Sequence, residues 1–329
     1  MFSPLDVASG YFVEDRLDES EAVCLYVLRE TPEDVRALGL MAGIANRRGE
    51  YDKALALADY AIAVGGESAI LLVEKAHAHF RLDQPAEAEA AARQAVALSP
   101  DVPGGYALLA EITLPGDDYI EHLRRFHEEL RPRNYLEIGV DTGRSLALAL
   151  PPTVAVGVDP KPRLNFPPQT LTTLVPLTSD AYFADRDISA PTIDLAFIDG
   201  GHLFEIALRD FINVERHASS DTVVLMHDCL PMDRVTRQRE RTTAFWSGDV
   251  WKVIPALRKW RPDLEIFTIP CKPTGLAVIQ RLDQKSHVLA DNFDAIVAAA
   301  PTEPDADALR QSLALVENDW GAVRTRLGR

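Results

Sequence analysis

Residues 134–159 read NYLEIGVDTGRSLALALPPTVAVGVD, and this stretch decides the fold. It holds two short apolar runs, Asn134–Val140 and Thr153–Val158, with a glycine-containing turn after the first and an acidic residue after the second. Continuous apolar runs bounded by Gly, Pro or Asp are typical of parallel strands that are buried on both faces. The stretch therefore predicts the first two strands of an α/β domain.

Similar runs follow along the chain. They are Leu171–Pro176, Ile193–Ile198, Thr222–Met226, Leu264–Ile269 and Leu276–Gln280. Most of them alternate with polar or helical segments, which predicts right-handed crossovers and a doubly wound, Rossmann-like sheet. Only the short turn Pro270–Gly275 separates the last two runs, so the sheet is predicted to end in a reversed, antiparallel hairpin.

The first third of the chain is organised differently. Segments of helix-breaking residues recur every 34 residues, at 31–34 (TPED), 65–68 (GGES) and 99–102 (SPDV). Ala and Leu recur at helical spacing between them, and Pro32 and Pro100 lie where the period predicts helix ends. This period resembles the tetratricopeptide repeat, in which stacked helix pairs bury one continuous layer.

Three regions are therefore predicted: an all-α helical-repeat domain at 1–115, an α/β domain at 116–283 and a C-terminal helical extension at 284–329. The extension is most clearly amphipathic over DADALRQSLALVENDWGAV (305–323).

Composition excludes several classes of protein. The chain has 50 acidic and 34 basic residues and a net charge of −16, which repels nucleic acid and anionic lipid. Its three cysteines, Cys24, Cys229 and Cys271, have no C-x-x-C spacing and are predicted to be reduced thiols. The N-terminal residues lack the features of a signal peptide, and no apolar run reaches the roughly 18 residues of a membrane helix. We therefore expect a cytoplasmic protein that binds neither nucleic acid nor membranes.

Polar residues follow the predicted strands at their carboxyl ends, where doubly wound sheets bind ligands. After the first strand, Gly139 and Gly143 permit a tight turn and close approach of a ligand, and a helix from Ser145 onward would present its N–H groups. Asp159 ends the second strand and can accept both hydroxyls of a ribose; the alternative is a turn residue before Pro160. The G-x-x-x-G spacing lacks the dinucleotide phosphate fingerprint, so a sulfonium nucleoside fits better than a nicotinamide cofactor.

Ser179 and Asp180 follow the third predicted strand. Such a polar pair could hold the amino group of an adenine. The alternative is that either residue caps the helix that begins there.

Two neighbouring strand ends carry both carboxylates and imidazoles: Asp199 with His202, and His227 with Asp228. Converging carboxylates are costly unless they hold a cation or share a proton, and a weakly held Mg²⁺ would suit them. His202 would then take the proton from a hydroxyl that attacks an electrophilic methyl group. The alternatives are a helix-start residue for His202 and a packing residue for His227.

These segments resemble the class I S-adenosylmethionine-dependent methyltransferases. YLEIGVDTGRSL (135–146) is similar to their first glycine motif, and VGVDP (156–160) to their acidic strand end. IDLAFIDGGHLFEIALRDF (193–211) followed by DTVVLMHD (221–228) resembles the metal-assisted subgroup of macrocin- and mycinamicin-type small-molecule O-methyltransferases. The resemblance covers about residues 120–283.

The resemblance implies S-adenosylmethionine as the cofactor. The residues predicted to bind it are Glu137, Gly139, Asp141, Gly143, Ser145, Asp159, Ser179, Asp180 and Asp199. It also implies His202 as the general base and Asp199 and Asp228 as ligands of Mg²⁺ or another divalent metal. Where the subgroup has an Asp-Asp pair this chain has His227-Asp228, so an imidazole is predicted to replace one carboxylate ligand.

The leading functional prediction is transfer of a methyl group to a hydroxyl of a small molecule, of the sugar or secondary-metabolite type. One alternative is a peptide or protein methyltransferase that recruits its substrate through the repeats; another is a non-catalytic scaffold with a vestigial nucleotide fold. The repeats are also a candidate surface for a protein partner or a homo-oligomer; the alternative is an all-α cap on the α/β domain. The basic run DRVTRQRERTTAFW (233–246) is a candidate lid over the acceptor, with Trp246 and Trp251 as walls; the alternative is a solvated helix face.

Overall fold

The computed structural model describes residues 3–186, 190–302 and 305–328, in two compact units, Met1–Thr113 and Leu114–Arg329. The first unit is helical. Its helices are α1 (Pro4–Val13), α2 (Leu17–Glu30), α3 (Val35–Arg47), α4 (Tyr51–Gly65), α5 (Ala69–Arg81), α6 (Pro85–Leu98) and α7 (Gly105–Thr113).

The 34-residue period of the sequence is visible in the first unit. Helices α3 and α5 begin 34 residues apart, and so do α4 and α6. The turn residues Asp15, Gly49 and Asp83 recur at the same spacing, with φ of 60°, 78° and 59°. A left-handed residue at this place ends one helix and redirects the chain into the next. The predicted helical-repeat architecture is confirmed.

The second unit is built on a sheet that follows α8 (Tyr119–Leu130). Its strands are β1 (Asn134–Ile138), β2 (Val154–Val158), β3 (Leu171–Val175), β4 (Ile193–Ile198), β5 (Ala218–His227), β6 (Glu265–Ile269) and β7 (Leu276–Gln280). The described residues form a seven-stranded sheet in the order β3-β2-β1-β4-β5-β7-β6. Strands β1 to β5 are parallel, and β7 is antiparallel to both β5 and β6. The Rossmann-like sheet with a reversed terminal hairpin is confirmed.

Helices cover both faces of this sheet. The remaining ones are α9 (Ser179–Asp185), α10 (Phe204–Glu215), α11 (Val253–Trp260), α12 (Val288–Asp291), α13 (Phe293–Ala298), α14 (Ala306–Ser312) and α15 (Trp320–Arg326). Phe126 of α8 and Val323 of α15 pack on one face, against Tyr135 and Phe197. Helices α10, α11, α13 and α14 contribute to the core on the other face. No helix within the described ranges is long and apolar enough to cross a membrane.

Two local predictions were wrong. The α-helix expected from Ser145 onward is replaced by a single 3-10 turn, Leu146–Leu148, because Pro151 and Pro152 follow too closely for a longer helix. The amphipathic stretch 305–323 is divided between α14 and α15.

Between α14 and α15 the chain pairs with the exposed edge of the sheet. The Thr268 N–H of β6 donates to the carbonyl of Ala314 at 3.1 Å, and the Val316 N–H donates back to the Thr268 carbonyl at 3.0 Å. The segment therefore pairs with the edge strand at Thr268, whose backbone groups would otherwise be unpaired.

Candidate active site

A cavity of about 1030 Å³ lies at the carboxyl ends of the parallel strands. The predicted site residues that line it are Gly139, Asp141, Ser145, Asp159, Ser179, Asp180, Asp199, His202, His227 and Asp228. The structure thus brings together all the predicted residues except Glu137 and Gly143, which do not line this cavity.

Glu137 is fully buried beneath the glycine turn. The Tyr135 hydroxyl donates to its Oε2 at 2.6 Å, and the Ser145 hydroxyl donates to its Oε1 at 2.7 Å. Burial raises the pKa of Glu137 to about 8, although these two hydrogen bonds counteract the shift. In this structure, Glu137 therefore fixes Ser145 and the turn from below.

The two glycines of the turn after β1 pack closely against other parts of the protein. Gly139 has a φ of 88°, and a Cβ there would lie 2.3 Å from the carbonyl oxygen of Asp199. Gly143 has a φ of 78°, and a Cβ there would lie 2.5 Å from the Leu164 side chain. Because the Gly139 contact is with backbone, only glycine lets β1 end beside Asp199.

Asp159 closes the same turn. Its Oδ2 accepts the N–H groups of Val140 at 2.9 Å and Asp141 at 3.0 Å, and its Oδ1 accepts that of Lys161 at 2.7 Å. The turn role that the sequence left open is thus present in the structure. Oδ2 thus uses both of its lone pairs, while Oδ1 keeps one, so these bonds leave capacity for one ribose hydroxyl.

The N-cap of α9 is neither Ser179 nor Asp180, which corrects the capping alternative. Thr178 is the cap, and its hydroxyl accepts the Ala181 N–H at 3.3 Å. Asp180 forms an exposed ion pair with Arg209 at 2.8 Å.

The centre of the site is a cluster of two carboxylates and two imidazoles at the ends of β4 and β5. Nδ1 of His202 lies 2.7 Å from Oδ2 of Asp228. Nδ1 of His227 lies 3.1 Å from Oδ1 of Asp199 and 3.6 Å from Oδ1 of Asp228. The Thr274 hydroxyl donates to Oδ1 of Asp228 at 2.6 Å.

The charges of this cluster balance one another. Burial lowers the pKa of His202, but its contact with Asp228 outweighs burial and raises it to about 9. Burial also lowers the pKa of His227, while the charges of Asp199 and Asp228 raise it above its usual value. Burial raises the pKa of Asp228, and the charge of His227 together with the contact to His202 brings it below its usual range. Two imidazolium groups can therefore neutralise two carboxylates here.

The backbone at the cluster is strained. His202 and Asp228 have φ of 49° and 61°, which places both in the left-handed region. A Cβ at Gly248 would lie 1.8 Å from the His202 carbonyl oxygen, so the backbone of Gly248 packs directly on that of His202. Strain of this kind persists where the surrounding structure enforces it, and it is concentrated at functional sites.

Part of the predicted lid reaches the cavity. Arg241, Ala244, Phe245 and Trp246 line it, and the Trp246 ring stacks on the His202 imidazole with centroids 5.2 Å apart and an interplanar angle of 11°. Trp251, predicted as a second wall, instead lies buried in the core with 2% of its surface exposed.

The same cluster offers ligands for a metal ion. Asp199, His202 and Asp228 each contribute one candidate ligand atom, and these atoms all lie within 4.8 Å of one another. Carboxylate oxygens with an imidazole nitrogen suit a divalent cation. His202, the predicted base, belongs to this group, so the ligand and base roles compete for one imidazole. His227, the predicted ligand, bridges the two carboxylates beside the group.

Sequence reasoning missed three residues of the site. Tyr119, at the start of α8, lies with its ring centroid 4.3 Å from that of His227. Thr274 reaches Asp228 because β7 pairs with β5, and Asp210 of α10 lines the cavity close to Ser179. Only the fold brings these residues near, and no local motif marks them.

Comparison with known proteins identifies the central segment. Residues 136–229, from within β1 to just after β5, match the family model of a methyltransferase domain. The match implies S-adenosylmethionine as the methyl donor. No curated protein matches the chain.

Solved structures resemble each part of the chain at low similarity. A proposed O-methyltransferase from Klebsiella pneumoniae is 14% identical, with a TM-score of 0.38, over 59% of this chain and 97% of its own. The second tetratricopeptide repeat domain of human RPAP3, solved with an HSP70 peptide, is 17% identical, with a TM-score of 0.30, over 33% and 92%. A mutant O-GlcNAc transferase of Thermobaculum terrenum is 15% identical, with a TM-score of 0.33, over 59% and 44%. Similarities this low carry no argument about function.

Proposed function

We propose that the second unit transfers a methyl group from S-adenosylmethionine to a hydroxyl of a small molecule, of the sugar or secondary-metabolite type. The observation that carries the proposal is the cluster of Asp199, His202 and Asp228, which faces the main cavity and lies inside the segment matched by the methyltransferase model. Polar groups that converge in a large cavity at strand ends are the expected form of an active site in this fold.

The cavity is long enough for the proposed methyl donor. Its lining runs from Thr178, after β3, to Asp228, after β5. Four strand spacings separate these ends, which is about 19 Å and enough for an extended nucleoside joined to an amino acid. When bound, S-adenosylmethionine supplies a methyl group that its sulfonium makes electrophilic. Asp159 would hold the ribose, and the adenine base would lie towards Ser179.

His202 is the proposed general base. Its Nδ1 faces Asp228, and in the neutral imidazole, whose population rises as the pH approaches the raised pKa of about 9, Nε2 is free to receive the proton of the acceptor hydroxyl. Asp228 orients the imidazole and stabilises its charged form, and the stacked ring of Trp246 holds its plane. Alignment of the hydroxyl with the methyl group is the main task of the surrounding residues.

A divalent cation is a second part of the proposal. Asp199 and Asp228 would hold it together with His202 or His227, and it would orient the acceptor hydroxyl and lower its pKa.

The buried cysteines are free thiols, which fits a reducing, cytoplasmic location.

The test combines binding and turnover. Calorimetry with S-adenosylhomocysteine measures cofactor binding, and mass spectrometry detects methylated products from a panel of hydroxyl-bearing sugars and secondary metabolites. His202→Ala should lower turnover by about 10²–10⁴-fold and leave S-adenosylhomocysteine affinity nearly unchanged, because a placed base contributes this much to rate. The matched control is His287→Ala, since His287 is exposed.

Unchanged turnover in His202→Ala would remove His202 from the mechanism. If the unchanged protein does not bind S-adenosylhomocysteine, the proposed function is wrong. Chelation followed by Mg²⁺ addition tests the metal: activity that chelation leaves intact excludes a required cation, and activity that Mg²⁺ restores supports one.

Methylation of a peptide or protein is a second candidate, favoured by one observation in the first unit. A groove of about 460 Å³ lies on α1, α3 and α5, lined among others by Phe12, Arg36, Leu40 and Ile70. Ile70 is 60% exposed there. If this groove recruits the substrate, Ile70→Asp should lower methylation of a protein acceptor and spare a free small acceptor. Equal effects on both acceptors would exclude recruitment through the groove.

A further inference from the structure

A buried carboxyl group at the far end of the cavity has no role in the chemistry described so far. Asp210 is 1% exposed, and it lines the cavity on α10. Within the described part of the chain, neither of its carboxyl oxygens has a hydrogen-bond partner of ordinary geometry. A buried polar group without a partner costs stability, so a retained one calls for an explanation.

No cationic side chain among the described residues forms an ion pair with Asp210, although the charge of Arg209 lowers its pKa. Its neighbour Arg209 is directed to Asp180, at 2.8 Å in an exposed pair. Burial raises the pKa of Asp210 to about 7, the nearby Ser179 hydroxyl lowers it, and the charge of Asp180 raises it further. The carboxyl group therefore faces the cavity with acceptor capacity that the described residues leave unused.

The place of Asp210 indicates which part of a ligand would reach it. The cluster that would carry out methyl transfer is at the ends of β4 and β5. Asp210 lies beside Ser179, which follows β3 at the opposite end of the cavity. Ile206 precedes Asp210 by one helical turn, lines the same cavity and offers an apolar surface for a flat ring. A nucleoside whose methyl group reaches His202 would place its base at this end.

We propose, on the basis of the proposed function, that Asp210 determines cofactor specificity by accepting a hydrogen bond from the exocyclic amino group of adenine. The base would lie against Ile206, and its amino group would supply the donor that the buried carboxyl group lacks. Asp210 acts on binding alone and takes no part in methyl transfer.

The test uses two ligands and the full-length protein. One ligand is S-adenosylhomocysteine, and the other is its analogue with hydrogen in place of the 6-amino group. Calorimetry should show that the unchanged protein binds S-adenosylhomocysteine about 10- to 100-fold more tightly, the effect expected for a hydrogen bond to a carboxylate. Asp210→Val should abolish this preference. Asp210→Asn should keep most of it, because the amide oxygen is still an acceptor. The control is Asp185→Asn, which alters an exposed carboxylate of α9 that does not line the cavity.

Thermal unfolding separates this role from a structural one. Because Asp210→Val removes an unpartnered buried carboxyl group, it should unfold at the same temperature as the unchanged protein or higher while losing the preference for adenine. Equal affinities of the unchanged protein for the two ligands overturn the assignment of Asp210 and leave the proposed function standing. A preference that survives in Asp210→Val overturns it too. Failure of the unchanged protein to bind either ligand overturns the proposed function and this proposal together.

Discussion

The ion pair between Arg261 and Glu215 gives the sharpest prediction about stability. Both side chains are buried, at 3% and 4% exposure, and Nη1 of Arg261 donates to both carboxylate oxygens at 2.8 Å. Arg261 is the C-cap residue of α11, Glu215 ends α10, and the N–H of Asp283 also donates to Glu215 at 3.2 Å. The pair thus joins three parts of the second unit.

Arg261→Met should destabilise the second unit by about 3–5 kcal/mol, because it leaves the Glu215 carboxylate buried without its cation. The second contact of Arg261, with Asp263, adds little, since that carboxylate is 56% exposed. At about 2–4 °C per kcal/mol for a unit of this size, the midpoint of thermal unfolding should fall by roughly 6–20 °C.

Tryptophan fluorescence is the suitable assay. All four tryptophans of the chain, at positions 246, 251, 260 and 320, belong to the second unit, so urea unfolding followed by fluorescence reports that unit alone. The double variant Arg261→Met, Glu215→Leu should recover most of the loss, because no charge is then left buried. The control is Arg281→Met, because the ion pair of Arg281 with Glu265 is exposed and should contribute only about 0–1 kcal/mol to the free energy of unfolding. A loss below about 1 kcal/mol in Arg261→Met, or a double variant as unstable as the single one, would refute this reasoning.

Two further predictions concern the site. Gly139→Ala should lower the free energy of unfolding by more than Gly143→Ala does. The left-handed backbone costs each about 1–2 kcal/mol, but the Cβ at residue 139 would lie 2.3 Å from the backbone oxygen of Asp199, whereas the Cβ at residue 143 would meet the flexible Leu164 side chain at 2.5 Å and lie 3.2 Å from the Phe166 carbonyl oxygen. Equal losses in urea unfolding would contradict the contact with Asp199. Trp246→Ala should lower kcat by about 2- to 10-fold without changing S-adenosylhomocysteine affinity, because the ring that stacks on His202 is lost. Trp246→Phe should keep most of the rate. An unchanged kcat in the alanine variant would show that the stacked ring does not position the general base.

The sheet and the repeats could be predicted from sequence because their signals are local. Each buried parallel strand is a short apolar run with a clear boundary, and each repeat carries its own turn residue, as at Gly49 and Asp83. The meeting of Asp199 with Asp228 was also predictable, since neighbouring parallel strands end at the same edge of the sheet.

The rest depends on contacts between residues distant in sequence. Thr274 reaches Asp228 only after the hairpin reverses, and Tyr119 reaches His227 only when α8 packs on the sheet. The motif Glu137–Ser145 indicated a ligand turn, but sequence could not show that Glu137 and Ser145 bond to each other beneath it. For the same reason, the unpartnered carboxyl group of Asp210 has no signature in the chain.

The pairing of residues 314–316 with Thr268 has a consequence for synthesis. Strand β6 is the outermost strand of the hairpin. At Thr268 its free side pairs with residues 314–316, which are translated almost fifty residues later. While the ribosome is still making that stretch, the nascent sheet offers a row of unsatisfied amides and carbonyls to any neighbouring chain. Ribosomes that stall before codon 314 would therefore release products prone to self-association, even with every catalytic side chain already made.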